Sequence, residues 1–289
     1  MTPATRPRRA AGMALIAVLW IVAALSLMVT GLVYTVRQQI SVVSAARDQT
    51  SGQALGEAAQ ALVMQALLAS TDRPPGLQTV PVSYGGVDMT VDIAPLNGWI
   101  ALNGADAPLF TALLRTAGGL DQGRAEALAA AIIEWRDSIP QIDPTAAGAA
   151  MRPRKFEAPE DLLLVPGVDY PLYSRIAPLV SADLLGGNQV NPLAAPPEVL
   201  AVMAEGDMAR VNQYLSQRTA GQPADASGLS NAGSFSGRSD AYRLRVRVPL
   251  DAGKILVLTS DLILQGNRPG SAPWRVLRAS RQIAASTAG

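Results

Sequence analysis

Met13–Val36 reads MALIAVLWIVAALSLMVTGLVYTV, and no charged residue stands between Arg9 and Arg37. As an α-helix this stretch measures roughly 36 Å at about 1.5 Å per residue. That is enough to span a bilayer core of about 30 Å. Arg6, Arg8 and Arg9 precede it with no acidic residue in the first twelve positions. The positive-inside rule therefore places this end in the cytoplasm and everything after Arg37 outside it. Helical spacing continues beyond the span through Ile40, Val43, Leu55, Ala59, Leu62, Val63, Ala66 and Leu67, and the first strong breaker is Arg73-Pro74-Pro75-Gly76. The pattern predicts one helix from membrane to outer domain, with a local bend at Gly52, where glycine costs about 1 kcal/mol relative to alanine.

Working outward, the composition narrows the chemistry. The 289 residues include no His and no Cys, 24 Lys+Arg against 23 Asp+Glu, and 49% hydrophobic beside 16% charged residues. A Ser/His/Asp or Cys/His nucleophile, a Cys/His zinc site and a disulfide are thereby excluded. Three readings of the apolar stretch compete: a cleaved secretory signal, a plain anchor, and a leader cut ahead of the apolar run. A secretory signal carries an apolar region of only about 7–15 residues, shorter than this one.

Beyond Gly76 the period changes to two. Val87, Met89, Val91 and Ile93 alternate with Asp88, Thr90 and Asp92, after a Gly85-Gly86 turn from a strand near 78–82. Far downstream, Tyr242, Leu244, Val246 and Val248 alternate with Arg243, Arg245 and Arg247; Ile255–Leu264 is nearly continuous apolar sequence, and 274–277 suggests a further strand, with fraying after Arg281. A lone hairpin is marginal, so early and late strands are expected to share one antiparallel sheet packed on the N-terminal helix. Asp88 and Asp92 are expected to pair with the arginine row, which otherwise reads as a solvated sheet face, or as a docking surface.

The fold class is thus α+β: a long N-terminal transmembrane helix on an antiparallel sheet, with a large all-α, helix-hairpin-helix-like insertion. The expected organisation is a leader at 1–12, a membrane segment at 13–36, the continuing helix at 37–70, the sheet at 71–104 and 240–281, the insertion at 105–218 and a flexible loop at 219–239. Within the insertion, Leu113 to Asp121 and Leu163 to Asp169 each place apolar residues, a glycine turn and an aspartate before another helix. DNA-binding hairpins of this type hold a phosphate on backbone amides. Between Ala105 and Asp183, however, seven Lys/Arg face eleven Asp/Glu, a balance of −4. Nucleic-acid binders show the opposite footprint, so the hairpins read as architecture. No acid–base constellation is evident, and no catalytic residue is expected.

Arg8-Arg9-Ala10-Ala11-Gly12 followed by Met13-Ala14-Leu15-Ile16 resembles the leader of type IV prepilins and type II secretion pseudopilins. Most of that family has Glu as the fifth mature residue; here it is Ala17. The departure is similar to the general secretion pathway protein K family of minor pseudopilins. Further segments resemble that family in order: Pro95–Asn103 (PLNGWIALN), Ala131–Asp137 (AIIEWRD), Phe156–Val180, and Asn191–Leu200 (NPLAAPPEVL), where Leu193 and Ala194 replace its usual second Asn and Thr.

The resemblance implies cleavage between Gly12 and Met13, N-methylation of Met13, a tip position marked by Ala17, and partner contact through Leu15, Ile16, Val18 and Leu19. It implies an inner-membrane, single-pass protein with its C-terminal domain in the periplasm. The implied partners are minor pseudopilins I and J, the major pseudopilin, prepilin peptidase and the inner-membrane assembly platform, with no nucleic acid. Relatives can bind calcium in an acidic loop after the helix ending at Asp137. Here that loop offers only Asp143, so a calcium site on Asp137 and Asp143 would be ligand-poor. The rival readings are a membrane-anchored helix-hairpin-helix DNA-uptake protein and a hydrolase using carboxylates alone.

Overall fold

The computed structural model describes residues 10–70, 72–137, 155–183, 187–233, 239–265 and 272–285. The leader residues 1–9 and Asp143 lie outside them. Helix α1, Ala10–Ala69, runs 60 residues, about 90 Å, without a break. Among the described residues no helix is long and apolar enough to cross a membrane; side chains in the first part of α1 are described from Leu15 to Val29 only.

Five strands form one antiparallel sheet in the order β1-β2-β5-β6-β7: β1 Gln78–Tyr84, β2 Val87–Pro95, β5 Ala241–Leu250, β6 Lys254–Leu264 and β7 Trp274–Ala285. Gly85 and Gly86 turn the first hairpin with φ of 62° and 79°, values that a side chain would resist. Ile93 stands opposite Leu244, and Val246 opposite Leu258. This register puts Met89, Val91, Tyr242, Leu244, Val246, Val248, Leu256 and Leu258 on one face, where they bury Ala59, Val63, Met64 and Leu67 of α1. Strand β7 runs on to Ala285, past the fraying expected after Arg281, because it stays paired with β6 down to Lys254.

Gly52 lies inside the uninterrupted helix, and its role is close approach. A Cβ there would stand 2.6 Å from Leu250 Cδ2, and one at Gly56 would collide with Leu258 Cδ1 and lie 3.1 Å from Val248 Cγ2. Small residues thus let α1 settle onto the sheet before the larger Val63 and Met64 fill the space beyond.

Between β2 and β5 the chain builds a second core from α2 Ala107–Thr116, α3 Gln122–Asp137, α4 Tyr170–Ile176, α5 Pro197–Met203 and α6 Met208–Thr219. A parallel pair of two-residue strands, β3 Ile100–Ala101 and β4 Val180–Ser181, crosses it. Trp135 and Phe156 stack with ring centroids 4.5 Å apart. After α6, Leu229 is buried, the Ser230 amide donates to Met203 O at 2.8 Å, and Val190 bridges Ala232, so this part of the return segment is fastened to the helices.

The segment after β2 joins the two cores. Asn191, 2% exposed, donates to Pro75 O at 2.7 Å and to Asn97 Oδ1 at 3.1 Å. A Cβ on Gly98 would sit 2.5 Å from the Ala194 carbonyl carbon. Asn103 donates to Phe156 O and Ala182 O at 2.9 and 2.8 Å and accepts from the Phe156 amide at 2.9 Å. The stretches 95–103, 156–180 and 191–200, far apart in sequence, meet here.

Candidate functional site

The arginine row of β5 does not form an open solvated sheet face. It makes one wall of a half-open cleft of about 890 Å³ whose other wall comes from the helical unit, including Arg175, Pro178, Ala201 and Met208. Alternation along β5 sends Arg243, Arg245 and Arg247 to this side because Tyr242, Leu244, Val246 and Val248 are claimed by the α1 core.

The three arginines differ in what holds them. Arg243 pairs bidentately with Asp261 of β6, Nε to Oδ1 at 2.6 Å and Nη2 to Oδ2 at 2.8 Å, with side chains only 12% and 3% exposed. Its guanidinium carbon stands 4.2 Å from the centroid of the Trp99 ring. Arg247 reaches diagonally to Asp92, Nη1 donating at 3.1 Å, although Asp92 stands opposite Arg245 in the ladder. Thr79 Oγ1 also donates to Asp92, at 2.8 Å. The side chain of Arg245, between them, is exposed and has no hydrogen bond or ion pair among the described residues.

One expected pair is corrected. Asp88 does not meet the arginine row; it accepts from Ser83 Oγ at 2.5 Å, because β5 pairs with β2 only from Thr90 onward. Asp261, inside the apolar run of β6, takes that role instead. Sequence reasoning missed it, although a lone aspartate among IL and VL pairs was its signal. Nearby, Asp183 has its carboxyl pushed up by burial and by the charge of Asp261.

Chemically the cleft offers cations over apolar surface. Four arginines face Asp92 and Glu198, and the rest of the lining is largely apolar, with Trp99, Leu77, Pro178 and Met208 prominent. Asp92 is engaged by Arg247 and Thr79.

Both hairpins of the helical unit are built alike. Gly119 and Gly167 turn with φ of 69° and 95°. Directly after each turn an aspartate caps the next helix: Asp121 accepts from the Arg124 amide at 3.0 Å and Asp169 from the Leu172 amide at 2.9 Å. Each carboxylate thus takes up one amide at the start of the helix that follows.

Asp137 is bound by its neighbour, Arg136 Nε and Nη2 reaching its two oxygens at 2.8 and 3.1 Å, and this contact holds its carboxyl below the ordinary range. Arg136 also donates to Ala105 O at 2.7 Å. Both oxygens of Asp137 are engaged by this guanidinium, and among the described residues no group of three or more His, Cys, Asp or Glu side chains is gathered that could hold a metal ion.

At the other end of the molecule, Leu15, Ile16, Val18 and Leu19 are 74%, 59%, 57% and 70% exposed, and Ala17 is exposed among them. Gly12 and Met13 stand in the opening turns of α1, their side chains outside the described set.

No protein-family model and no curated protein matches the chain. Among solved structures it is similar to a chain in the crystal structure of the GspK-GspI-GspJ complex from the type 2 secretion system of enterotoxigenic Escherichia coli. The identity is 17% over 85% of this chain and 98% of that chain, with a TM-score of 0.47.

Proposed function

We propose that the chain is a minor pseudopilin of the general secretion pathway protein K type, acting by assembly and not by catalysis. The observation that carries the reading is α1 itself. One helix presents exposed leucine, isoleucine and valine over Leu15–Val29, in an uncharged run that follows Arg8-Arg9-Ala10-Ala11-Gly12, and then packs its far end on a five-stranded antiparallel sheet. A helix with an apolar stretch of this kind is stabilised by lipid or by partner helices, and the sheet gives it a periplasmic body.

Ala17 supports a tip position. A carboxylate in a bilayer costs about 2.5–3.5 kcal/mol unless it is paired, and in the shaft it would pair with the amine of the subunit ahead. A subunit with alanine has no such demand and fits first in line. The helical unit beside the sheet adds bulk that hinders stacking within a shaft. In this reading Gly12-Met13 is the cleavage point, Met13 is methylated, and minor pseudopilins I and J are neighbours at the tip of a pseudopilus that supports export of folded proteins from the periplasm.

Mass spectrometry of the protein purified from membranes of cells with prepilin peptidase tests the processing step. The expected N-terminus is methylated Met13; a chain still carrying 1–12 overturns it. Counting subunits in purified pseudopili tests the position, with a single copy expected and many copies along the shaft refuting it.

A further inference from the structure

We propose that the cleft between β5 and the helical unit is a docking groove for an extended peptide segment of a second protein, one that carries a carboxylate beside an apolar side chain. The inference rests on the cleft alone, and an unprocessed N-terminus would leave it standing.

Charge complementarity selects the carboxylate. Arg243 and Arg247 are neutralised internally by Asp261 and Asp92. The side chains of Arg245 on one wall and Arg175 on the other are exposed and have no partner among the described residues. The two internal pairs hold the flanking guanidinium groups in place, so the central cation is the one left for a ligand. A side-chain carboxylate can take two parallel N–H donors from it, a geometry that a lysine would not offer.

The lining selects a peptide over a simple anion. Met208 and Leu77, 51% and 40% exposed, line the cleft together with Trp99 and Pro178. A free phosphate or sulfate would leave this surface wet, whereas an apolar neighbour of the carboxylate covers it. The β5 wall suits an extended segment, because its side chains repeat every second residue, about 6.6 Å apart, matching alternate residues of a strand laid along it. Arg245 and Arg175 outnumber the exposed carboxylate of Glu198 in the lining, which leaves a positive excess sized for one carboxylate and short of the charge density that a nucleic-acid backbone requires.

The test uses the full chain in detergent and two probes: acetyl-Leu-Asp-Leu-Asp-Leu-Asp-Leu-amide and the same peptide with lysine in place of aspartate. Calorimetric titration is expected to show binding of the aspartate peptide alone, weakening as salt is raised. Arg245→Ala is expected to weaken it about tenfold or more, and Arg245→Glu to abolish it. Lys254→Ala, at the turn into β6, is expected to leave the affinity unchanged. Because Arg245 is exposed and unpaired, its variants should melt like the parent, which separates lost binding from lost folding. Absence of aspartate-peptide binding, equal binding of the lysine peptide, or unaltered affinity in Arg245→Ala overturns the proposal.

Discussion

The two faces of the five-stranded sheet are made by alternate residues of the same strands, yet they are stabilised in opposite ways. The face under α1 is closed by shape. Gly52, Gly56 and Ala59 let the helix approach, and the residues of β2, β5 and β6 that meet it are almost wholly apolar. The other face carries Asp92, Arg243, Arg245, Arg247 and Asp261 and is left partly open beside the helical unit. One face is a core; the other is a charged surface lining a cleft. The lesson is that a period-two pattern fixes which residues part company, while what they then face depends on elements inserted far away.

The contrast is broken most severely at Asp261. Asp261→Ala strands Arg243 at 12% exposure without its partner, and the expected loss is about 3–5 kcal/mol in urea unfolding. Replacing both members by apolar residues of similar volume should recover most of that loss, since the pair's desolvation roughly cancels its attraction. A small effect of Asp261→Ala would show that the charged face does not depend on internal pairing.

A smaller loss is expected on the closed face. Gly56→Ala drives a methyl into Leu258 Cδ1, with Val248 Cγ2 at 3.1 Å, and overpacking of this kind costs about 1–3 kcal/mol. Thermal unfolding followed by circular dichroism reads it. The helix-propensity gain of alanine, about 1 kcal/mol, offsets part of this, so a net gain in stability would mean that Leu258 shifts aside at little cost.

The smallest effect belongs to Asp183, and its sign depends on pH. Burial and then the charge of Asp261 raise its carboxyl in the folded protein, so the ionised form is penalised there. The penalty is fully present above the raised folded value and disappears as pH falls through it toward the ordinary carboxylate value. Asp183→Asn should therefore raise the melting temperature slightly at neutral pH, and the advantage should vanish on acidification. Melting curves of the two proteins across that range are the measurement; parallel pH profiles would contradict the assignment.

Much of this architecture follows from the residues themselves. The uncharged run from Met13 to Val36 and the apolar spacing through Leu67 specify a long helix, because nothing before Arg73-Pro74-Pro75-Gly76 can end it. Alternation in Val87–Ile93 and Tyr242–Val248 specifies two strands with one wet face each, because successive side chains must point oppositely. The aspartates at 121 and 169 specify helix starts by the reach of a short carboxylate to the amide three residues on.

Tertiary structure alone decided the partners. That Arg247 reaches Asp92 while Asp88 turns to Ser83 depends on where β5 ends against β2, a register that no local pattern carries. That Asp261 answers Arg243, that Asn97 meets Asn191, and that Arg245 and Arg175 come to face one cleft are consequences of chain segments tens of residues apart arriving at the same place. Local propensity is set by each residue's own backbone and immediate neighbours. The pairing of distant side chains is set by how two hydrophobic cores pack around one joint, and that is a property of the whole folded chain.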